Sequence, residues 1–212
     1  MKRVLWLITI ISVVLVGCLE AARPFATDDA GIVEQNGCEL ELGGDFWEEQ
    51  ASLSLGFKHG LTERMDIGVG FGYTVKPDET KGFGQAELGL KFALMPDLFA
   101  VSITGGLGDT PYNLNGIITY CFGPIEIDGN IGYEATGIEG QTGTAVYALA
   151  LIFELEEIAV GAEASGNEDD LNAWLIGIRY EILEGFAVDC GISGGFESGA
   201  GNIATTGLHY EF

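Results

Sequence analysis

From residue 38 to the end of the chain, apolar and polar residues alternate with a period of two. Leu53, Leu55 and Phe57 interleave with Ser52, Ser54, Gly56 and Lys58, and Ile67, Val69, Phe71, Tyr73 and Val75 with Asp66, Gly68, Gly70, Gly72 and Thr74. Ala86, Leu88, Leu90, Phe92 and Leu94 alternate with Gln85, Glu87, Gly89 and Lys91. Ile125, Ile127, Ile131 and Tyr133 alternate with Glu126, Asp128, Asn130, Gly132 and Glu134. Successive side chains of a strand point to opposite faces, so this pattern predicts strands with one apolar and one polar face. They fall near 38–47, 51–59, 65–75, 83–94, 98–108, 114–122, 125–134, 144–154, 158–165, 171–181, 186–196 and 202–212.

A soluble sandwich would alternate too, but three features point to a membrane. The apolar faces run to five positions on strands of about ten residues, the length that crosses a bilayer at a tilt. Aromatics such as Phe71, Tyr73, Phe92, Tyr120, Phe122, Tyr133, Tyr180 and Phe196 close many rows, as an interfacial girdle requires. The polar faces carry acids, which a dry sandwich core would reject and a wet interior accepts. The expectation is an all-β protein, an up-and-down antiparallel transmembrane barrel of about twelve strands. An even count puts both termini on one side. Tight connections such as Met95-Pro96-Asp97, Gly123-Pro124 and Glu156-Glu157 then alternate with longer loops, including Ala135 to Gly143.

Composition sharpens this picture. The 212 residues include 32 acids and 9 bases, a net charge of −23, yet 47% are hydrophobic and 33 are glycine. Without a three-residue glycine period, collagen is excluded. With two of the nine bases spent on Lys2 and Arg3, nucleic acid is not an expected partner. Those two bases precede an apolar run from Val4 to Val16, too short to span a bilayer and suited to an export signal over residues 1–21. Two processing routes stay open. Leu15-Val16-Gly17-Cys18 reads as a lipobox that would leave Cys18 acylated, and cleavage after Ala21 is the rival. Residues 22–37 then form a periplasmic N-terminal segment or a plug, and 38–212 the barrel.

The last strand ends in Leu208, Tyr210 and Phe212 on one face. An alternating strand with a terminal aromatic resembles the signal read by the barrel-insertion machinery, which makes Tyr210 and Phe212 the assembly signal and that machinery a partner, beside outer-membrane lipid. A narrower resemblance rests on Ala22-Arg23-Pro24-Phe25-Ala26-Thr27-Asp28-Asp29-Ala30-Gly31 with Glu39-Leu40-Glu41, and on Gly60-Leu61-Thr62-Glu63-Arg64-Met65-Asp66-Ile67-Gly68-Val69-Gly70. These resemble the mature start and first short turn of the "MetA-pathway of phenol degradation" family. That resemblance implies an outer-membrane barrel moving small, including apolar, molecules.

Parity assigns the lining. If Leu40, Leu53, Ile67, Leu88, Ile127, Val160, Ile178 and Val188 face lipid, the bore receives Glu39, Glu41, Asp66, Glu87, Glu126, Asp128, Glu134, Glu163, Glu181 and Asp189. Against these ten acids stand Lys58, Lys91 and Arg179, with His209 also inward near the periplasmic end. Inward glycines at 68, 70, 72, 89, 132, 177 and 191 suggest free space. The expected function is a passive pore or transporter for small solutes, cation-preferring or carrying small apolar molecules. The alternatives are a closed structural or surface-interaction barrel and, more remotely, a membrane-embedded hydrolase. No cofactor or metal site is expected: no CxxC or Cys/His cluster occurs, and neither histidine has a triad partner visible in sequence.

Overall fold

The computed structural model describes residues 23–106, 112–136, 141–197 and 201–212. The signal over 1–21 and Cys18 lie outside them. Among the described residues thirteen strands form one antiparallel sheet: β1 (Cys38–Trp47), β2 (Gln50–Thr62), β3 (Met65–Lys76), β4 (Gly82–Phe83), β5 (Glu87–Met95), β6 (Phe99–Gly106), β7 (Tyr112–Phe122), β8 (Ile125–Ala135), β9 (Thr144–Leu155), β10 (Ile158–Asn167), β11 (Leu171–Leu183), β12 (Phe186–Gly195) and β13 (Asn202–Glu211). Each long strand pairs with its neighbours in sequence, and β1 pairs with β13, so the twelve long strands close into a barrel. Closure removes every sheet edge, the condition for strands to cross lipid with all backbone groups bonded.

The remaining strand, β4, corrects one boundary. Alternation alone predicts an unbroken strand over 83–94, but Gly82 and Phe83 pair with Thr74 and Tyr73 at the rim, and the membrane strand starts at Glu87. Phe83 is held there by an edge-to-face contact with Tyr73, ring centroids 4.9 Å apart. The connections on the same end of the barrel as Cys38 and Glu211 are tight. The turns at Gly123 and Gly185 need left-handed backbone, with φ of 60° and 75°, which glycine adopts without a Cβ clash.

Burial decides which face is which. Ile131 and Phe122 are 72% and 70% exposed, whereas Asp128 and Glu126 on the same hairpin are 0% and 1%. This is an inside-out protein: the apolar face points out and the polar face in. At the seam the outward aromatics of the last strand pack together, Tyr210 stacking on Phe212 at 5.1 Å and meeting Phe186 edge-on at 6.1 Å.

Candidate functional site: the bore and its N-terminal segment

Residues 23–33 run inside the barrel and 34–37 lie at its mouth. Their path starts in the outer half, where Arg23 Nη2 donates to Thr205 Oγ1 at 2.7 Å and to the Thr206 carbonyl at 3.2 Å. The same guanidinium lies 4.0 Å from Asp189 and from Asp45. Two prolyl and aromatic contacts follow. Pro24 occupies the space a Cβ on Gly177 would need, and Phe25 does the same at Gly161. Phe25 clusters with Ala150, Ile152, Ala159 and Leu175, a small apolar patch on the wall.

The densest polar contact comes next. Glu163 Oε2 accepts from the Ala26 amide at 2.8 Å, the Thr27 amide at 2.6 Å and the Thr27 hydroxyl at 2.7 Å. Asn130 then clasps Asp28 by both ends of its amide: the Asp28 N–H donates to Oδ1 at 2.8 Å and Nδ2 donates to the Asp28 carbonyl at 2.6 Å. Across the bore Lys91 Nζ reaches Asp28 Oδ1 at 2.9 Å and Asp29 Oδ1 at 3.8 Å. Burial pushes the Asp29 carboxyl up to about 6, against the pull of Lys91. The Ala30 amide donates to Thr119 Oγ1 at 2.8 Å, whose hydroxyl donates to Asp128 at 2.5 Å, and Ala30 clusters with Ala100 and Ile117. The segment leaves at the end of the barrel where β1 begins and β13 ends, with the Val33 amide on Asp66 Oδ2 at 3.1 Å and the Asn36 amide on the Gly60 carbonyl at 2.8 Å. Counted around the ring, these fifteen or so residues bond to or cluster with all twelve long strands.

The residues that parity assigns to the lining fall into three groups. Glu39, Asp66, Lys91, Glu126, Asp128, Glu163, Asp189 and His209 are buried. Glu41, Lys58, Arg179 and Glu181 are half-buried, and Glu87 and Glu134 are exposed towards the outer rim. Of the glycines read as free space, Gly72 does face an open region, but Gly177 is filled by Pro24 and Gly191 by the Ile176 carbonyl and Thr205. Alternation missed Gly43 and Gly207, whose missing side chains leave room for the Arg23 guanidinium. Their signal in the sequence is a pair of inward glycines on adjoining strands, outside the seven read as free space, and here the gap is the footprint of a segment.

Above the segment an outer cavity of about 450 Å³ opens, floored by Ala26 and lined by Asn113, Asn115, Asn130, Asn167 and Asn172 with Glu134. Below it, at the periplasmic mouth, His209 Nε2 bonds Glu211 at 2.5 Å while Nδ1 faces Glu41 at 3.7 Å. Lys58 Nζ lies 2.6 Å from Glu39 and 3.9 Å from Glu41. The second histidine, His59, sits in β2, which runs on to Thr62, three residues past the expected strand end. Its Nδ1 lies 2.9 Å from the Gly37 carbonyl and 3.4 Å from Cys38 Sγ. A carbonyl can only accept, so Nδ1 carries the proton and cannot serve as a base toward that thiol.

No protein-family model matches the chain, and no curated protein does either. Solved structures do. The chain is similar to the KdgM porin (TM-score 0.63, 7% identity, covering 82% of this chain and 99% of that one). An outer-membrane channel from Pseudomonas putida F1 aligns with a TM-score of 0.57 at 10% identity, over 90% and 100% of the two chains. Outer-membrane phospholipase A from Escherichia coli aligns with 0.53 at 10% identity, over 86% and 98%. Porins and an enzyme thus share this architecture, and at such identities the likeness speaks for fold alone. A closed barrel with an apolar outer face and this fold belongs in the bacterial outer membrane.

Proposed function

We propose that the chain is a passive channel for small solutes whose bore is closed at rest by its own residues 23–37. Twelve strands spaced ~4.8 Å apart and tilted ~40° close at a backbone diameter of about 24 Å. Side chains take ~5 Å from each wall, half the ~10 Å spacing of packed sheets, leaving about 14 Å without the segment. A bore of that width passes small molecules. The observation that carries the reading is how the segment is held. Most of its ties are hydrogen bonds and ion pairs to polar wall residues, with only Phe25 and Ala30 in apolar clusters. Polar ties can be exchanged for water, so release costs far less than extracting a dry core.

The substrate class follows from the wall. Ten acids against three bases favour cations in a passage whose low-dielectric walls focus the field. The outward girdle supports a lipid environment, and Tyr210 and Phe212 support recognition by the barrel-insertion machinery. The test is conductance in a planar bilayer, comparing the intact protein with a variant lacking residues 23–37. The truncated barrel should conduct in large, stable steps and the intact protein in rare ones.

One observation favours the second reading, a non-conducting structural barrel: the segment touches every long strand and so also braces the wall. A truncated barrel that is folded, inserted and silent would establish it.

A further inference from the structure

We propose that Glu39, Glu41 and His209 form a binding site for a divalent transition-metal ion such as Zn²⁺ at the periplasmic mouth. His209 lies 168 positions from Glu41, and the two glutamates alone are an ordinary i, i+2 pair on one strand face, which is why no ligand spacing is visible in the sequence. The β1–β13 pairing places Glu41 directly opposite His209 and Glu39 opposite Glu211. One ligand atom from each of Glu39, Glu41 and His209 lies within 4.8 Å of the others. Ligand atoms around a tetrahedral ion at ~2.1 Å stand about 3.4 Å apart, so the carboxylates need to close by at most about 1.4 Å.

The histidine is already set for the task. His209 is 2% exposed, and its Nδ1 has no hydrogen-bond partner although it is buried. Its Nε2 is bonded to Glu211, which orients the ring so that Nδ1 faces Glu41 at 3.7 Å, the nitrogen a metal ion would take in exchange for its proton. A carboxylate holding the far nitrogen of a ligating imidazole is the usual outer shell of a metal-bound histidine. Charge points the same way. Glu39 and Glu41 face Lys58, whose side chain is 37% exposed and can swing towards water, while Arg23 also acts on Glu41 and Arg179 on Glu211. A divalent ion would take the place of the His209 proton between these carboxylates. An entry path exists too, since a cavity of about 350 Å³ at the mouth is lined by Glu39 and Glu211. The ligand set, one imidazole and two carboxylates, suits zinc and its neighbours better than calcium.

The site is independent of whether the bore conducts, so its test needs no current. Purified, heat-modifiable protein is titrated with Zn²⁺ against a chromophoric chelator and with Co²⁺ by visible absorption. His59→Gln serves as background, because that imidazole and Cys38 could bind metal on their own. The expected result is one saturable ion per chain, with Co²⁺ bands of four- or five-coordinate geometry. His209→Gln and Glu41→Gln should each weaken binding at least 10-fold, whereas Lys58→Gln, which removes the competing ammonium, should tighten it. Equal affinity in the background protein and in a folded His209→Gln or Glu41→Gln variant would overturn the site, as would absence of saturable binding. Should neither variant fold, nitrogen ligation seen by electron spin-echo of bound Cu²⁺ in the background protein decides, and its absence overturns the site.

Discussion

Glu163 is the side chain on which the closed state leans most. One oxygen, Oε2, takes the Ala26 amide, the Thr27 amide and the Thr27 hydroxyl, all within 2.8 Å, in a site where Glu163 is 7% exposed. Hydrogen bonds to a charged group contribute about 1.5–3 kcal/mol each, and a buried donor left without a partner costs about 1–3 kcal/mol. Glu163→Ala removes the acceptor and orphans three donors. Some of that cost is recovered by water, so about 4 kcal/mol is a fair figure for the loss in seating. Each 1.4 kcal/mol is tenfold, which makes the expected rise in the ratio of open to closed channel about 10³. Glu163→Gln keeps an acceptor oxygen but loses the charge, and should raise the ratio by about tenfold.

Single-channel recording reads that ratio directly, and heat-modifiable migration on a gel establishes that each variant is a folded barrel. Open probability should rise in the order intact, Glu163→Gln, Glu163→Ala, with the truncated protein lacking 23–37 at the limit. The open conductance should be nearly the same in the three full-length proteins, because the mutation changes occupancy rather than bore width. A folded Glu163→Ala barrel as silent as the intact one, beside a conducting truncation, would refute the role given to these bonds. A silent truncation would refute the channel itself.

Other outcomes follow from the same geometry. Gly161→Leu and Gly177→Val place carbon where Phe25 and Pro24 now sit, and should open the channel without altering any charge, read as a gain in open probability. Opened barrels should prefer cations by reversal potential. The preference should weaken with Glu126→Gln and Asp128→Asn together, and fade as the screening length falls from about 10 Å at 0.1 M salt to about 3 Å at 1 M. Acidification should close the channel. The Asp29 carboxyl is raised to about 6 while seated among Lys91, Asp28 and Lys58, so the seated state binds the proton more tightly and gains as pH falls through 6. Open probability that rises between pH 7 and 5 would contradict this. Deleting Tyr210 to Phe212 should abolish heat-modifiable migration, since β1 would lose partners at Leu40 and Glu39 and leave an unpaired edge in lipid.

Much of the barrel could be read from alternation because the membrane imposes it locally. Each outward position must be apolar whatever its neighbours do, so Leu53, Ile67 or Leu149 reports its own face. Strand ends near 125–134 and 186–196 were legible for the same reason, since turns punctuate them. What alternation does not carry is the content of the bore. Inward acids and glycines have two meanings that are identical in sequence. Glu163 would line water in an open pore with the same parity it uses to bind Thr27, and Gly177 would widen a channel with the same missing Cβ that admits Pro24. The distinction lies in contacts between residues more than 100 positions apart, such as Thr27 with Glu163 and Arg23 with Thr205, which no local period encodes. The trace is pairwise: polar residues of 23–37 match inward groups of opposite role, Arg23 against Asp189, Asp28 against Lys91 and amide N–H groups against Glu163 and Asp66. The same reasoning explains why the mouth cluster stayed hidden. Glu39, Glu41 and His209 are each unremarkable inward positions, and only the closure of β1 on β13 makes them one site.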